Sequence, residues 1–77
     1  MSSNSHKFIW HHRCHGLLGV FTEFEQMIPI VNSAPYPAPD VLKMVNHLKT
    51  HEKFEYAMGL ISINKVDINY NPQEFHA

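Results

Sequence analysis

The chain has 77 residues, of which 44% are hydrophobic and 17% charged, with a formal net charge of −1. This length fits one domain with a modest core, the hydrophobic content argues against a disordered chain, and the scattered basic residues argue against nucleic acid as the main partner. Its single cysteine excludes an internal disulfide, and with no basic-then-apolar leader at residues 1–7 and no apolar run long enough to span a membrane, we expect a cytoplasmic protein.

The first predicted element is a strand at His6–His12. Phe8, Ile9 and Trp10 form a run of aromatic and β-branched residues of the kind enriched in sheets. Residues 1–5 are mostly small and polar, so we expect them to form a flexible end.

A helix is predicted after Gly16. Its apolar residues recur at three- and four-residue intervals and leave one polar face; they are Leu17, Val20, Phe21, Phe24, Met27, Ile28 and Val31. Gly19 is unfavourable inside a helix, and Pro29 should end the helix near Ile28. Alternation between Leu18 and Phe24 also fits a strand, which is the alternative for this stretch.

A second helix is predicted from Asp40 to about His51. Residues 29–39 contain four prolines and form a stiff, extended connection to it. Asp40 is a suitable N-cap, and apolar residues follow at helical spacing, namely Val41, Met44, Val45 and Leu48. Glu52 and Glu55 would fall on this apolar face, so we expect the helix to end near Glu52.

The stretch 53–58 is open to two interpretations. Phe54, Tyr56 and Met58 alternate with Glu55 and Ala57, which is typical of a strand. The same residues could instead extend the second helix, and the domain would then be mostly α-helical.

A C-terminal hairpin is predicted from two apolar segments, 61–63 and 66–70. The turn would lie at Asn64 and Lys65, because asparagine tolerates a left-handed backbone. Residues 73–77 are expected to be a second flexible end. Together these elements predict a single α+β domain over residues 1–77, with two helices packed on a small antiparallel sheet.

Four residues have the spacing of zinc ligands. His11 and Cys14 have two residues between them, and His47 and His51 have three. One pair from a loop and one from a helix could close a tetrahedral zinc site, which would stabilise a small core. The alternative is that these are ordinary border and surface residues, because a chain with seven histidines contains ligand spacings by chance.

The sequence predicts a protein that is not an enzyme. Cys14 has histidine neighbours but no nucleophile turn or oxyanion-hole glycines, and no phosphate-binding or dinucleotide motif is present. We therefore expect a small intracellular protein-binding domain, a regulator, adaptor or inhibitor of a larger protein. Trp10, Tyr36 and Phe54 are the expected partner anchors, because aromatic side chains concentrate interface energy. For Trp10 the alternative is a core position.

A second functional hypothesis is a zinc-stabilised Cys/His module that binds protein or nucleic acid. The first hypothesis needs no cofactor, whereas this one needs zinc. Either type of domain could also form a twofold homodimer by burying an apolar face against a second copy.

Overall fold

The computed structural model describes residues 5–75 and has two helices packed on a four-stranded antiparallel sheet. In chain order the elements are β1 (His6–His12), β2 (Gly16–Phe21), α1 (Phe24–Ser33), α2 (Val41–Thr50), β3 (Lys53–Tyr56) and β4 (Ile61–Asp67), followed by a 3-10 turn at Pro72–Glu74. The predicted α+β fold is confirmed, and the mostly α-helical alternative is wrong. In this described part of the chain, no helix is long and apolar enough to cross a membrane.

The sheet has the strand order β2-β1-β4-β3, so the first and last strands are its two inner strands. Trp10 of β1 pairs with Ile63 of β4, which pairs in turn with Phe54 of β3. Paired residues share a face of a sheet, and this row faces the helices. The adjacent row, which includes Ile9 and Asn64, lies on the opposite face.

The core lies between the helices and this face of the sheet. Each helix contributes two side chains that are essentially inaccessible to water, Met27 and Val31 from α1 and Met44 and Leu48 from α2. They pack against buried strand residues, which are Phe8, Trp10, Phe21, Ile61 and Ile63. Burial of one such side chain contributes about 1.5–3 kcal/mol, so this cluster is the main source of stability.

The prediction for α2 is confirmed at both ends. The Asp40 carboxylate accepts a hydrogen bond from the backbone N–H of Lys43 at 3.2 Å, which caps the first turn. The helix ends at Thr50. There the ammonium group of Lys65, on β4, donates a hydrogen bond to the carbonyl oxygen of Leu48 at 2.8 Å and satisfies one of the free C-terminal carbonyls.

The helix predicted after Gly16 is wrong over its first part, where the alternative strand is correct. Gly16–Phe21 forms β2 and pairs with β1. A side chain at Gly19 would meet the Phe21 ring at 3.0 Å and the Trp10 ring at 3.3 Å. Glycine therefore lets the two rings pack close to this strand without shifting.

The predicted end of this helix near Ile28 is also wrong. The helix begins at Phe24 and continues through Pro29 to Ser33. Proline in a helix removes one backbone hydrogen bond and costs about 3 kcal/mol. Here Pro29 is exposed, and burial of Met27 and Val31 on either side offsets that cost.

The predicted turn at Asn64 and Lys65 is wrong, because both residues lie inside the continuous strand β4. The C-terminal hairpin is formed instead by β3 and β4, with its turn at residues 57–60. Asn64 is buried on the sheet face away from the helices, where its side-chain amide donates to the Ser62 hydroxyl at 2.8 Å. This bond satisfies a polar side chain inside a strand.

Residues 68–75, which follow β4, fold back over the sheet. The Phe75 ring lies edge-on to the ring of His11, with 5.1 Å between ring centroids, and it also contacts the Tyr70 ring. Of the two predicted flexible ends, residues 1–4 and 76–77 lie outside the described residues. Within the C-terminal one, Gln73 and Glu74 belong to the 3-10 turn Pro72–Glu74, and the Phe75 ring packs against that of His11.

Candidate functional site

Three connections meet at one end of the sheet: residues 13–15 between β1 and β2, residues 34–40 between the helices, and residues 57–60 between β3 and β4. The backbone N–H of Arg13 donates to the carbonyl oxygen of Leu60 at 2.9 Å, which ties the first connection to the third. The Tyr36 ring, in the second connection, lies 5.3 Å from the ring of His12, measured between centroids. This end of the molecule is therefore a single continuous surface.

His12 organises the first of these connections. Its Nδ1 accepts hydrogen bonds from the backbone N–H groups of Cys14 and His15, at 3.0 and 3.3 Å. A neutral imidazole has one donor nitrogen and one acceptor nitrogen, so the hydrogen of His12 is on Nε2. The rings of His12 and His15 pack with 4.4 Å between centroids. Nδ1 of His12 thus stabilises the turn between β1 and β2.

The β3–β4 turn has an unusual backbone. Ala57, Met58 and Gly59 are consecutive residues with positive φ, at 55°, 59° and 83°. Glycine adopts this region freely, whereas other L-residues pay roughly 1–2 kcal/mol each. Strained positions of this kind persist where the surrounding structure holds them, and they concentrate at functional sites.

The strained turn presents apolar side chains to solvent. Met58, at its tip, is fully exposed, and Leu60 is exposed by 43%. Beside them is a cavity of about 210 Å³, lined by His12, Pro37, Ala57, Met58, Leu60 and Ile61. We call Pro37, Met58 and Leu60, with this cavity, the turn-end surface. Five of its six lining residues are apolar, so it suits an apolar side chain of another molecule.

A hydrogen bond lies beneath this surface. The indole N–H of Trp10 donates to the Tyr56 hydroxyl at 2.8 Å, which joins an inner strand to the edge strand that leads into the turn. Burial raises the pKa of Tyr56 above its ordinary value of 10.0, and the hydrogen bond from Trp10 lowers it by less. The phenol therefore keeps its proton to higher pH in the folded protein than in the unfolded chain.

This difference predicts a loss of stability in alkali. Below about pH 10 Tyr56 is neutral in both states and the free energy of unfolding does not depend on it. Above that pH the unfolded chain ionises first, so stability falls until the folded phenol ionises as well. Denaturant titrations at a series of pH values should show a shallower alkaline decline for Tyr56→Phe than for the parent. Equal declines would contradict the raised pKa.

The structure places the three predicted partner anchors at different depths. Trp10 is 4% exposed and lies in the core, so its side chain offers no surface to a partner. Tyr36 and Phe54 are half-buried. Tyr36 borders the turn-end surface, whereas Phe54 packs against the His47 ring on the helix side of β3, with 5.7 Å between centroids.

The four predicted zinc ligands do not come together. His11 lies on the sheet face away from the helices, and Cys14 is exposed in the β1–β2 turn. His47 and His51 stack on each other at the C-terminal end of α2, with 4.2 Å between ring centroids. That end of α2 lies beside Lys65, which pairs with Phe8 near the start of β1. Cys14 follows the end of β1, so it lies at the opposite end of the sheet. Within residues 5–75 no group of three or more metal-ligating side chains is present.

Met58 and Leu60 are not among the functional residues that the sequence predicts. The predicted alternation runs from Phe54 through Tyr56 to Met58, although the strand ends at Tyr56. The available signal was Gly59, because a glycine directly after a short alternating run is typical of a turn. Nothing in the composition indicates that the turn begins two residues earlier.

A wider groove of about 660 Å³ lies where α1 begins and α2 ends. It is lined by Ser5, His6, Phe8, Thr22, Glu23, Phe24, Glu25, Leu48, Lys49 and Lys65. Two carboxylates and two ammonium groups are among these residues, so the groove favours neither an anionic nor a cationic ligand. Its size alone does not make it a site.

Comparison of the chain with protein-family models, with curated proteins and with solved structures gave no match.

Proposed function

We propose that the chain is a small, non-enzymatic protein-binding domain of the cytoplasm, which acts as a regulator, adaptor or inhibitor of a larger protein. The turn-end surface is its contact site. The observation that carries this proposal is the fully exposed Met58, held on a left-handed turn beside Leu60. An apolar side chain gains nothing from water at such a position, whereas in an interface it would be buried.

The chemistry of the surface supports a protein partner over a small substrate. Pro37, Met58 and Leu60 carry no charge, and methionine adapts its shape to the surface that it contacts. His12 is the one titratable side chain among the cavity residues, and its Nδ1 already accepts two backbone hydrogen bonds. We therefore propose a partner that inserts an apolar side chain into the cavity. Tyr36 would lie at the border of this contact.

The zinc-stabilised Cys/His module is the weaker hypothesis. Its four ligands are divided between both faces and both ends of the sheet, so we do not propose it as the function. The metal content of protein purified without added zinc tests it directly, and stoichiometric zinc would revive it.

Met58→Glu is expected to weaken the partner complex at least about tenfold, because removal of a central apolar contact typically costs 1 kcal/mol or more and a buried charge adds to it. Native mass spectrometry of the protein recovered from its own cells would measure the complex. It would also detect a homodimer. The folded state should be retained, since the side chain is in solvent.

Two further variants separate binding from folding. Met58→Gly also removes the contact, but it relieves the left-handed strain and should raise the free energy of unfolding by up to about 1 kcal/mol. Ile30→Glu is the matched control, because Ile30 is an exposed apolar residue on α1. A complex that survives both Met58 variants, or that Ile30→Glu weakens equally, would argue against the turn-end surface.

A further inference from the structure

We propose that His47 and His51 form a two-imidazole chelate for a divalent transition metal of the copper, nickel or zinc type. This site differs from the predicted four-ligand zinc site, because it uses neither His11 nor Cys14 and leaves the remaining coordination positions to water. It is independent of the proposed protein-binding function, since it lies at the opposite end of the sheet.

The backbone already fixes the two histidines at the separation that a chelate needs. His51 is the C-cap of α2, and its backbone N–H donates to the carbonyl oxygen of His47 at 2.8 Å. Side chains four residues apart lie on one face of a helix, and two histidines with this spacing are a recurrent metal-binding pair. Metal binding therefore carries no entropic cost for bringing distant parts of the chain together.

The side chains are also arranged together. The two rings are stacked, with 4.2 Å between centroids and 12° between planes. Metals of this type bind an imidazole nitrogen at about 2.0–2.1 Å, so rings this close together can turn one nitrogen each toward a shared ion. Phe54 packs edge-on against the His47 ring at 5.7 Å between centroids, which limits the movement of that ring away from its partner.

Thr50 orients the ring of His51. The Thr50 hydroxyl oxygen lies 2.9 Å from Nδ1 of His51 and 3.4 Å from the carbonyl oxygen of His47. The contact at Nδ1 leaves Nε2 as the nitrogen directed away from Thr50, and a metal ligand held through its other ring nitrogen in this way is typical of histidine sites.

The charges at this end of α2 have opposite effects on a cation. The C-terminal end of a helix carries a partial negative charge that favours positive ions. Lys49 on α2 and Lys65, whose ammonium group donates to the carbonyl oxygen of Leu48, are positive, so binding depends on the imidazole nitrogens and not on charge. Imidazole prefers copper, nickel and zinc, whereas magnesium and calcium need oxygen ligands. The site should therefore discriminate between these two groups of metals.

The test is a titration of the Cys14→Ser variant with Cu²⁺, Ni²⁺ and Zn²⁺, because this background removes the exposed thiol as a competing ligand. We expect one ion per chain, an upward shift of the melting temperature, and nitrogen ligation in the Cu²⁺ electron paramagnetic resonance spectrum. Mg²⁺ and Ca²⁺ should cause no shift. His47→Ala and His51→Ala should each weaken binding by on the order of tenfold or more, since the chelate is lost.

His15→Ala is the matched control. His15 is also exposed, and its ring packs at a tilt against that of a second histidine, His12, but the Nδ1 of His12 is occupied by backbone donors. This variant should bind metal as the Cys14→Ser parent does, and circular dichroism should confirm that all variants are folded. The proposal is overturned if the parent binds no transition metal, if both His47→Ala and His51→Ala bind as tightly as the parent, or if His15→Ala is weakened equally.

Discussion

Replacement of Ile63 by alanine is expected to lower the free energy of unfolding by about 3–4 kcal/mol, the cost of a large cavity in a core that cannot fully collapse. Ile63 is 0% exposed and lies on an inner strand, paired with Trp10 on one side and Phe54 on the other. A domain of this size has roughly 5 kcal/mol to lose. The variant should therefore be substantially unfolded well below the melting temperature of the parent.

Ile30→Ala is the control for this experiment. Ile30 is 47% exposed on α1, so the same change of side chain should alter stability by no more than about 0.5 kcal/mol. Denaturant titration followed by circular dichroism measures both variants. Similar losses for the two would mean that Ile63 does not lie in the core.

Trp10→Phe is expected to lower the free energy of unfolding by about 2–3 kcal/mol. Roughly 1 kcal/mol comes from the lost hydrogen bond to Tyr56 and the rest from the space that the smaller ring leaves beside Phe21 and Tyr36. The variant should also raise the pKa of Tyr56 further, because the hydrogen bond from Trp10 is the cause that lowers it.

A double-mutant cycle with Tyr56→Phe isolates the hydrogen bond. The two single variants and the double variant should give a coupling free energy of about 1 kcal/mol. A coupling near zero would show that the indole N–H and the phenol do not interact. A tyrosinate absorbance titration of Trp10→Phe, compared with the double variant, follows the pKa of Tyr56 separately from stability.

Elements with strong local signals were predictable. The prolines before Asp40 exclude helix, Asp40 caps the first turn, and the two glutamates after His51 interrupt the apolar face, so both ends of α2 follow from local chemistry. β1 follows in the same way from its aromatic and β-branched run. These signals depend on neighbouring residues, which the sequence shows directly.

The helical pattern over β2 depended on Leu17, Val20 and Phe21, but these residues do not share a buried face. Leu17 and Val20 are exposed by 36% and 37%, whereas Phe21 is buried. Trp10 pairs with Gly19 and His11 with Leu17, which leaves Leu18 as an extra residue in the strand, and Leu18 packs against the core. Sequence periodicity does not reveal this bulge, because the bulge depends on pairing with another strand.

The two sites were only partly predictable from the sequence. For the proposed metal site, the pair His47 and His51 follows from helical spacing, and the structure places the two rings together. The prediction that His11 and Cys14 join them assumed a loop that could reach the helix. Instead His11 lies in β1 and Cys14 in the turn between β1 and β2, away from the end of α2. Exposure of Met58 depends on three consecutive left-handed residues, two of which are not glycine, and no propensity predicts such a turn.

The centre of the sheet is the pairing of β1 with β4, beside which the carbonyl oxygen of Ser5 accepts a hydrogen bond from the backbone N–H of Ile68. Each outer hairpin can close locally, but the centre of the sheet forms only when two strands far apart in the sequence have been brought together. Such non-local closure is slow. Folding should therefore be limited by this late docking of the two hairpins, and a circular permutant in which β4 precedes β1 in the chain should fold faster than the natural chain order.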